Sequence, residues 1–292
     1  MQRFRIESIG VSNPRKGVIK GSLEQAVKAG KRCLASSGHR PQEVSVLINT
    51  GIHRDGHYAE PAVACFIQKK LEINPEFQER QTLSFDLQNG GSGMLSGAYV
   101  LANMMKSGHI QTGMVISSEG NYDSQPDPNY RYPASGAAIM MDISPVSDKG
   151  FGSFCFKTFE EYSDLYTSGV SLKEKKGKIL INQKKDLEST YLKCIPEVWE
   201  NLLQTEGLDR GAIDLVIPSQ ISPSFVGQLP QTLGLPKEKI LDVTDFLDDT
   251  LTTSPILALQ RAIDKKIVTK NQTLVFLTAG SGITIGAAVY YI

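Results

Sequence analysis

Between an apolar run ending near Leu87 and a helix-patterned stretch, Met94–Ser107, the sequence reads DLQNGGSGMLSG over residues 86–97. Strand, tight turn and helix in that order can present a nucleophile or cradle a phosphate. The helix N-terminus supplies backbone N–H donors and the positive end of its dipole. This turn has no Cys and no Lys, and Ser92 is its single hydroxyl. A serine-hydrolase elbow follows G-x-S-x-G, which needs Gly where Met94 stands. Ser92 is therefore expected to hydrogen-bond within its own turn. Residues 91–97 also read G-x-G-x-x-x-G, and Glu119 ends the next strand-like run. Leu87–Gly90 separates that motif from its strand, unlike a dinucleotide fingerprint, so no nicotinamide site is expected. His53, Asp55 and His57 alternate in a polar loop without an evident third anchor, and no metal is expected there. Cys33, Cys65, Cys155 and Cys194 form no CxxC pair. All four are expected to pack as reduced thiols, Cys65 on the helix AVACFIQ included.

The elements that must position such an elbow are legible as runs. Val44–Asn49, Thr82–Leu87, Met114–Ser117, Ala137–Ile143, Asp214–Pro218, Lys239–Val243, Thr273–Thr278 and Gly286–Ile292 read as buried strands. Leu23–Ser36, Ala62–Leu71, Met94–Ser107, Leu187–Gln204, Phe225–Leu233 and Pro255–Lys266 read as helices between them. Alternation of this kind predicts an α/β fold. The order also repeats. SVLINTG, LSFDL, a helix with a basic end, GMVIS and GAAIMMDI are matched later by DLVIPSQ, ILDV, SPILALQRAIDKK, TLVFLT and GAAVYYI. Two duplicated halves are predicted, residues 1–150 and 151–292, joined in the loop-like PVSDKGFG at 145–152. The basic run KEKKGK at 173–178 is expected to be a solvated hairpin or loop.

Composition narrows the function classes. Apolar residues make up 40% of the 292 and charged residues 21%, enough for a sizeable core. Lys+Arg and Asp+Glu are both 31, so no global field points to nucleic acid or to an anionic membrane. No apolar run approaches a membrane span, and the alternating MQRFRIESIGV is no signal-peptide core. A cytoplasmic protein is expected.

Taken together, INTGIHRDGHYAEPAVACF (48–66), the segment from Phe85 to Glu119, LVIPSQISPSF (215–225) and LTAGSGITIGAAVYYI (277–292) resemble the thiolase superfamily. Within it they resemble ketoacyl-ACP synthase III and its acyl-CoA-condensing relatives. The resemblance runs nearly the full length and implies a five-layered α-β-α-β-α fold and acyl-thioester chemistry in fatty-acid or polyketide-type metabolism. It implies a dimer, either a homodimer or a heterodimer with an active paralogue. No cofactor is implied; coenzyme A or an acyl-carrier-protein thioester is the implied ligand. The family's catalytic Cys, His and Asn map to Gly91, Ser219 and Asp249. Glycine cannot carry an acyl group, and it relieves an elbow whose backbone angles strain a residue with a Cβ. Ser219 is a poor general base, and an ionised Asp249 repels a developing enolate. All four histidines, His39, His53, His57 and His109, lie in the first 109 residues, so the second half cannot supply the missing base. Asp249 also has a local reading, as a cap before Pro255. The backbone oxyanion donors map to Gly91 and Gly282, and the loop of His53, Arg54, Asp55 and Glu60 to the substrate-pocket and dimer-interface segment. The expectation is a degenerate acyl-binding or structural subunit. The alternative is an active acyltransferase or 3-oxoacyl-ACP synthase using other groups.

Overall fold

The computed structural model describes residues 2–15, 21–75, 81–121, 127–171 and 177–292. Its first sheet is built from β1 (Phe4–Arg15), β2 (Val46–Asn49), β3 (Leu83–Asp86), β4 (Thr112–Glu119) and β5 (Ala134–Ile143), in the order β1-β5-β4-β2-β3. The second contains β6 (Gly150–Thr158), β9 (Leu215–Pro218), β10 (Thr273–Gly280) and β11 (Thr284–Tyr291), in the order β6-β11-β10-β9. Between β6 and β9 in the chain, β7 (Tyr166–Ser171) and β8 (Lys178–Gln183) form a separate antiparallel hairpin. The helices are α1 (Ser22–Ser36), α2 (Val63–Leu71), α3 (Gly93–Lys106), α4 (Leu187–Glu206), α5 (Pro223–Leu233) and α6 (Ser254–Asp264).

Strand alternation sorts the sheet side chains into three cores. From the first sheet, Leu47, Met114, Ile116, Ala138 and Met140 face α1 and α2. Val46, Ile48, Val115, Ile139 and Met141 face α3, α6 and the second sheet's Ile217, Phe276 and Ala288. On the far side of the second sheet, Val216, Val275, Leu277 and Val289 meet α4 and α5 around the fully buried Trp199. The result is the five-layered α-β-α-β-α architecture of the thiolase fold. The central layer, α3 and α6, runs directly from the two glycine- and threonine-rich turns that form the site.

One expected strand and the expected burial of two cysteines differ. Lys239–Val243 is not a strand; only an isolated bridge, Val216 to Ile240, remains. The Gln220 side chain takes the place of a neighbouring strand, accepting from Val243 N–H at 2.9 Å and donating to the Leu241 carbonyl at 3.0 Å. Cys65 is exposed, because α2 buries Val63, Ala64, Ile67 and Leu71 and turns Cys65 outward. Cys155 is only partly buried on β6, which starts inside the expected linker. The basic run at 173–178 lies mostly outside the described residues. Among the described residues no helix is long and apolar enough to cross a membrane.

Candidate functional site

The elbow begins where β3 ends. Asp86 caps α2, accepting from Val63 N–H at 2.8 Å and Ala64 N–H at 2.9 Å, and pairs with Arg54 at 3.1 Å. A short turn, Gly90–Ser92, then feeds α3. Gly90 has φ +50°, the left-handed region that favours glycine, whereas Gly91 does not. The reason for glycine at 91 is therefore different from the one expected. A Cβ there would stand 2.4 Å from the Ala279 carbonyl oxygen of β10, closer than any side chain can tolerate. Close approach of the two halves, and not backbone angle, excludes a side chain at the nucleophile position. Ser92 also departs from expectation. Its hydroxyl donates to the Thr284 carbonyl at 3.1 Å, tying the elbow to β11 instead of bonding within its own turn.

Gly91, Ser219 and Asp249, far apart in sequence, line one cavity. Ser219 follows β9 and is buried at 4% exposure; its hydroxyl accepts from Ala279 N–H at 3.4 Å. The next residue, Gln220, is held by four polar contacts, including one from its N–H to Ser254 Oγ at 2.8 Å. Ser222 caps α5 by accepting from Phe225 N–H at 3.0 Å and donates to Glu188 at 2.7 Å. Asp249 accepts from Leu251 N–H at 2.8 Å, so the local capping reading describes its contact. Burial pushes the Asp249 carboxyl up to about 7, against the pull of that N–H bond and with added repulsion from Glu119 and Glu188. Near neutral pH it is thus a mixture of carboxylate and acid, and the acid form can donate a hydrogen bond as an Asn amide does.

Three tyrosines also line the cavity. Tyr132, Tyr166 and Tyr191, from the approach to β5, from β7 and from α4, close over Gly91. Tyr132 donates to the Tyr166 hydroxyl at 3.1 Å. Burial raises all three phenols above their ordinary range, Tyr166 to about 12. The space left open to water is about 30 Å³, room for one or two water molecules. Sequence reasoning missed this trio, since the three residues share no motif or spacing. The cavity lining reaches Ser281 but does not include Gly282, the residue aligned with the second oxyanion donor.

The loop residues are placed separately. Asp55 caps α1, accepting from Ser22 N–H at 2.6 Å and Leu23 N–H at 3.0 Å. His53 is buried against Glu119 at 2.7 Å. Arg54 pairs with Asp86, and Glu60 is exposed at the loop's end. The structure does not bring these four to the cavity of Gly91. His53 and Arg54 instead border a second groove with Tyr58, Ser168 and Val170.

Known proteins agree with this geometry. The model for the C-terminal part of 3-oxoacyl-[acyl-carrier-protein] synthase III matches residues 203–292. A beta-ketoacyl-[acyl-carrier-protein] synthase III of Koribacter versatilis is 26% identical over 94% of this chain and 84% of its own length. One of Rickettsia bellii is 24% identical over 90% and 82%. In fold, the 3-oxoacyl-(acyl carrier protein) synthase III of Pseudomonas aeruginosa superposes with a TM-score of 0.85 at 17% identity, covering 99% of this chain and 98% of that one. A Xanthomonas campestris OleA structure gives 0.83 at 15% identity, covering 100% and 99%. Elbow, fold and similarity over nearly the whole chain converge: the chain has the thiolase fold and is similar to ketoacyl-ACP synthase III.

Proposed function

We propose that this protein is a non-condensing member of its family, an acyl-binding or structural subunit of acyl-thioester metabolism. One observation carries the reading: the position of the nucleophile is Gly91, and a backbone carbonyl stands 2.4 Å from where its Cβ would be. Ser219 is engaged by Ala279 and offers no base. Chain extension needs a nucleophile and stabilisation of the partner carbanion, and losing groups that act as a unit removes many orders of magnitude of rate. The cavity volume weights the structural role over the acyl-binding one, since an acyl group reaches Gly91 only if the tyrosines move. The named activity of the relatives, with coenzyme A or an acyl-carrier protein holding the acyl group, supplies the ligand class.

The test is turnover of acyl- and malonyl-thioesters, with intact-mass spectrometry after incubation with acyl-CoA. No ketoacyl product is expected, and no adduct on the elbow peptide. Ketoacyl formation by the unaltered protein overturns the reading and favours an active synthase using other groups. The subunit role includes a dimer. β3 lies at the open end of its sheet with Leu83 55% exposed, an edge that a second copy or a paralogue would cover. Sedimentation at micromolar concentration is expected to give twice the 32.0 kDa chain mass, alone or with the paralogue. A stable monomer in both cases removes the dimer from the proposal.

A further inference from the structure

We infer that the chain carries a second site, a serine-type acyl-transfer centre made by Ser168, His53 and Glu119 on the groove beside the hairpin. It goes beyond the reading of the elbow and does not depend on it. The geometry is that of a nucleophile, a base and an orienting carboxylate in line. Glu119 Oε2 lies 2.7 Å from His53 Nδ1, and His53 Nε2 lies 3.1 Å from Ser168 Oγ. The other hydrogen-bond partners of the Glu119 carboxylate among the described residues are donors. Ile52 N–H approaches at 3.4 Å, His53 N–H at 3.2 Å, and the Thr252 hydroxyl also donates to it, itself taking a hydrogen bond from Ser117. A carboxylate so supplied is an acceptor toward the ring as well. The hydrogen this places on Nδ1 leaves Nε2 of a neutral ring as the acceptor toward Ser168, whose hydroxyl also meets Tyr166.

The ring is held in that attitude from two sides. Tyr132 stacks on it at 5.2 Å with 21° between planes, and Tyr130 meets it edge-on at 5.0 Å and 79°. His53 and Glu119 are buried at 3% and 0% exposure, whereas Ser168 is exposed. The serine opens on a groove of about 400 Å³. Ile52, Val170 and Ile179 give that groove an apolar side suited to a short acyl chain, and Arg54, which pairs with Asp86, and His57 also line it.

The chemistry balances with an acyl ester or thioester and water. Ser168 Oγ bonds to the acyl carbon while its proton passes to His53 Nε2. The bond from that carbon to the leaving oxygen or sulfur breaks, and His53 returns the proton to the leaving group. A water then attacks the acyl-serine, giving one proton to His53 and releasing the carboxylic acid as that proton returns to Ser168. Glu119 is a positioning residue that keeps the tautomer and stabilises the imidazolium.

The experiment uses the full chain with p-nitrophenyl butyrate and butyryl-CoA as separate substrates, and a fluorophosphonate as covalent probe. Hydrolysis of at least one substrate is expected, together with stoichiometric phosphonylation mapped to the peptide carrying Ser168. Comparing the two substrates distinguishes oxygen from sulfur leaving groups. Ser168→Ala and His53→Gln should each reduce turnover at least about 100-fold. Ser168→Cys should still be acylated, and Cys65→Ser should leave turnover unchanged. Thermal melts check that His53→Gln folds; if it does not, Ser168→Ala decides alone, its side chain being exposed. No labelling of Ser168, labelling elsewhere, or full turnover by Ser168→Ala overturns the inference. Those outcomes leave the proposal for Gly91 standing, because its readout is ketoacyl product and mass on the elbow peptide.

Discussion

The elbow and the groove are opposites. The elbow has the position of a catalytic centre, at a strand-to-helix turn over a buried helix, and carries Gly91, Ser219 and Asp249 around its cavity. The groove has the groups, serine, imidazole and carboxylate in hydrogen-bonding line, on a hairpin that no elbow motif marks. At the elbow, packing fixes the turn whether or not its side chains carry chemistry. Here the β10 backbone lies against Gly91 and three tyrosines are among the residues lining the space beside it. Chemistry without a motif arises because a serine, a histidine and a glutamate separated by up to 115 residues can be brought together by the fold alone. A nucleophile is recognised by what faces it, and only the three-dimensional arrangement supplies that.

The contrast can be broken most forcefully at residue 91. Gly91→Cys, made to restore a nucleophile, should destabilise the protein by about 3 kcal/mol, because its Cβ must push a backbone carbonyl aside. A melting temperature lowered by on the order of 5–10 °C is the expected readout. A variant that melts with the wild type and accepts an acyl group would mean the elbow is still open. Asp249→Asn tests the same cavity through charge. The folded-state pKa, raised to about 7, disfavours the carboxylate relative to the unfolded chain. The penalty is absent below about pH 4, grows as the pH rises toward 7 and levels off above it. The variant should therefore match the wild type in acid and exceed it by roughly 1–3 kcal/mol at pH 8, less than the full linkage limit because water can reach the cavity. Denaturant melts at pH 4, 6 and 8 measure this, and a gain that shrinks with rising pH would reverse the assigned shift. The smallest effect belongs to the groove. Ser168→Ala, at an exposed position, should change stability by less than about 0.5 kcal/mol while removing the turnover assigned to it.

Much of the scaffold was legible in the sequence because burial on both faces writes itself as apolar runs. LVIP, VLIN and TLVFLT needed no further clue, and the two GAA strands disclosed the shared order of the sheets. Lys239–Val243 misled because ILDV is as apolar as a strand, while its pairing to Val216 stops at an isolated bridge and the Gln220 side chain takes the Leu241 carbonyl and Val243 N–H. Cys65 misled because the buried face of α2 is set by Val63, Ile67 and Leu71, one step away. At the site, the resemblance located Gly91, Ser219 and Asp249, and the fold brings all three to one cavity. Distance-dependent properties were out of reach: the carbonyl beside Gly91, the raised Asp249 and the three tyrosines each depend on an element remote in the chain. His53 and Glu119 both drew attention in the sequence, one for metal and one for a ribose, but nothing there indicated that they face each other.

Tyr132 belongs to both places. One face of its ring stacks on His53, and its hydroxyl bonds Tyr166 within the lining of the elbow cavity. The two regions therefore share a wall. Any occupant that enters beside Gly91 by displacing Tyr132 also releases the imidazole from its stack. Linkage then requires reciprocity: whatever free energy that occupant takes from the ordering of His53, a molecule seated against His53 takes from the affinity of the cavity. A ring shared in this way means that substitutions of Tyr132 are read in both places at once.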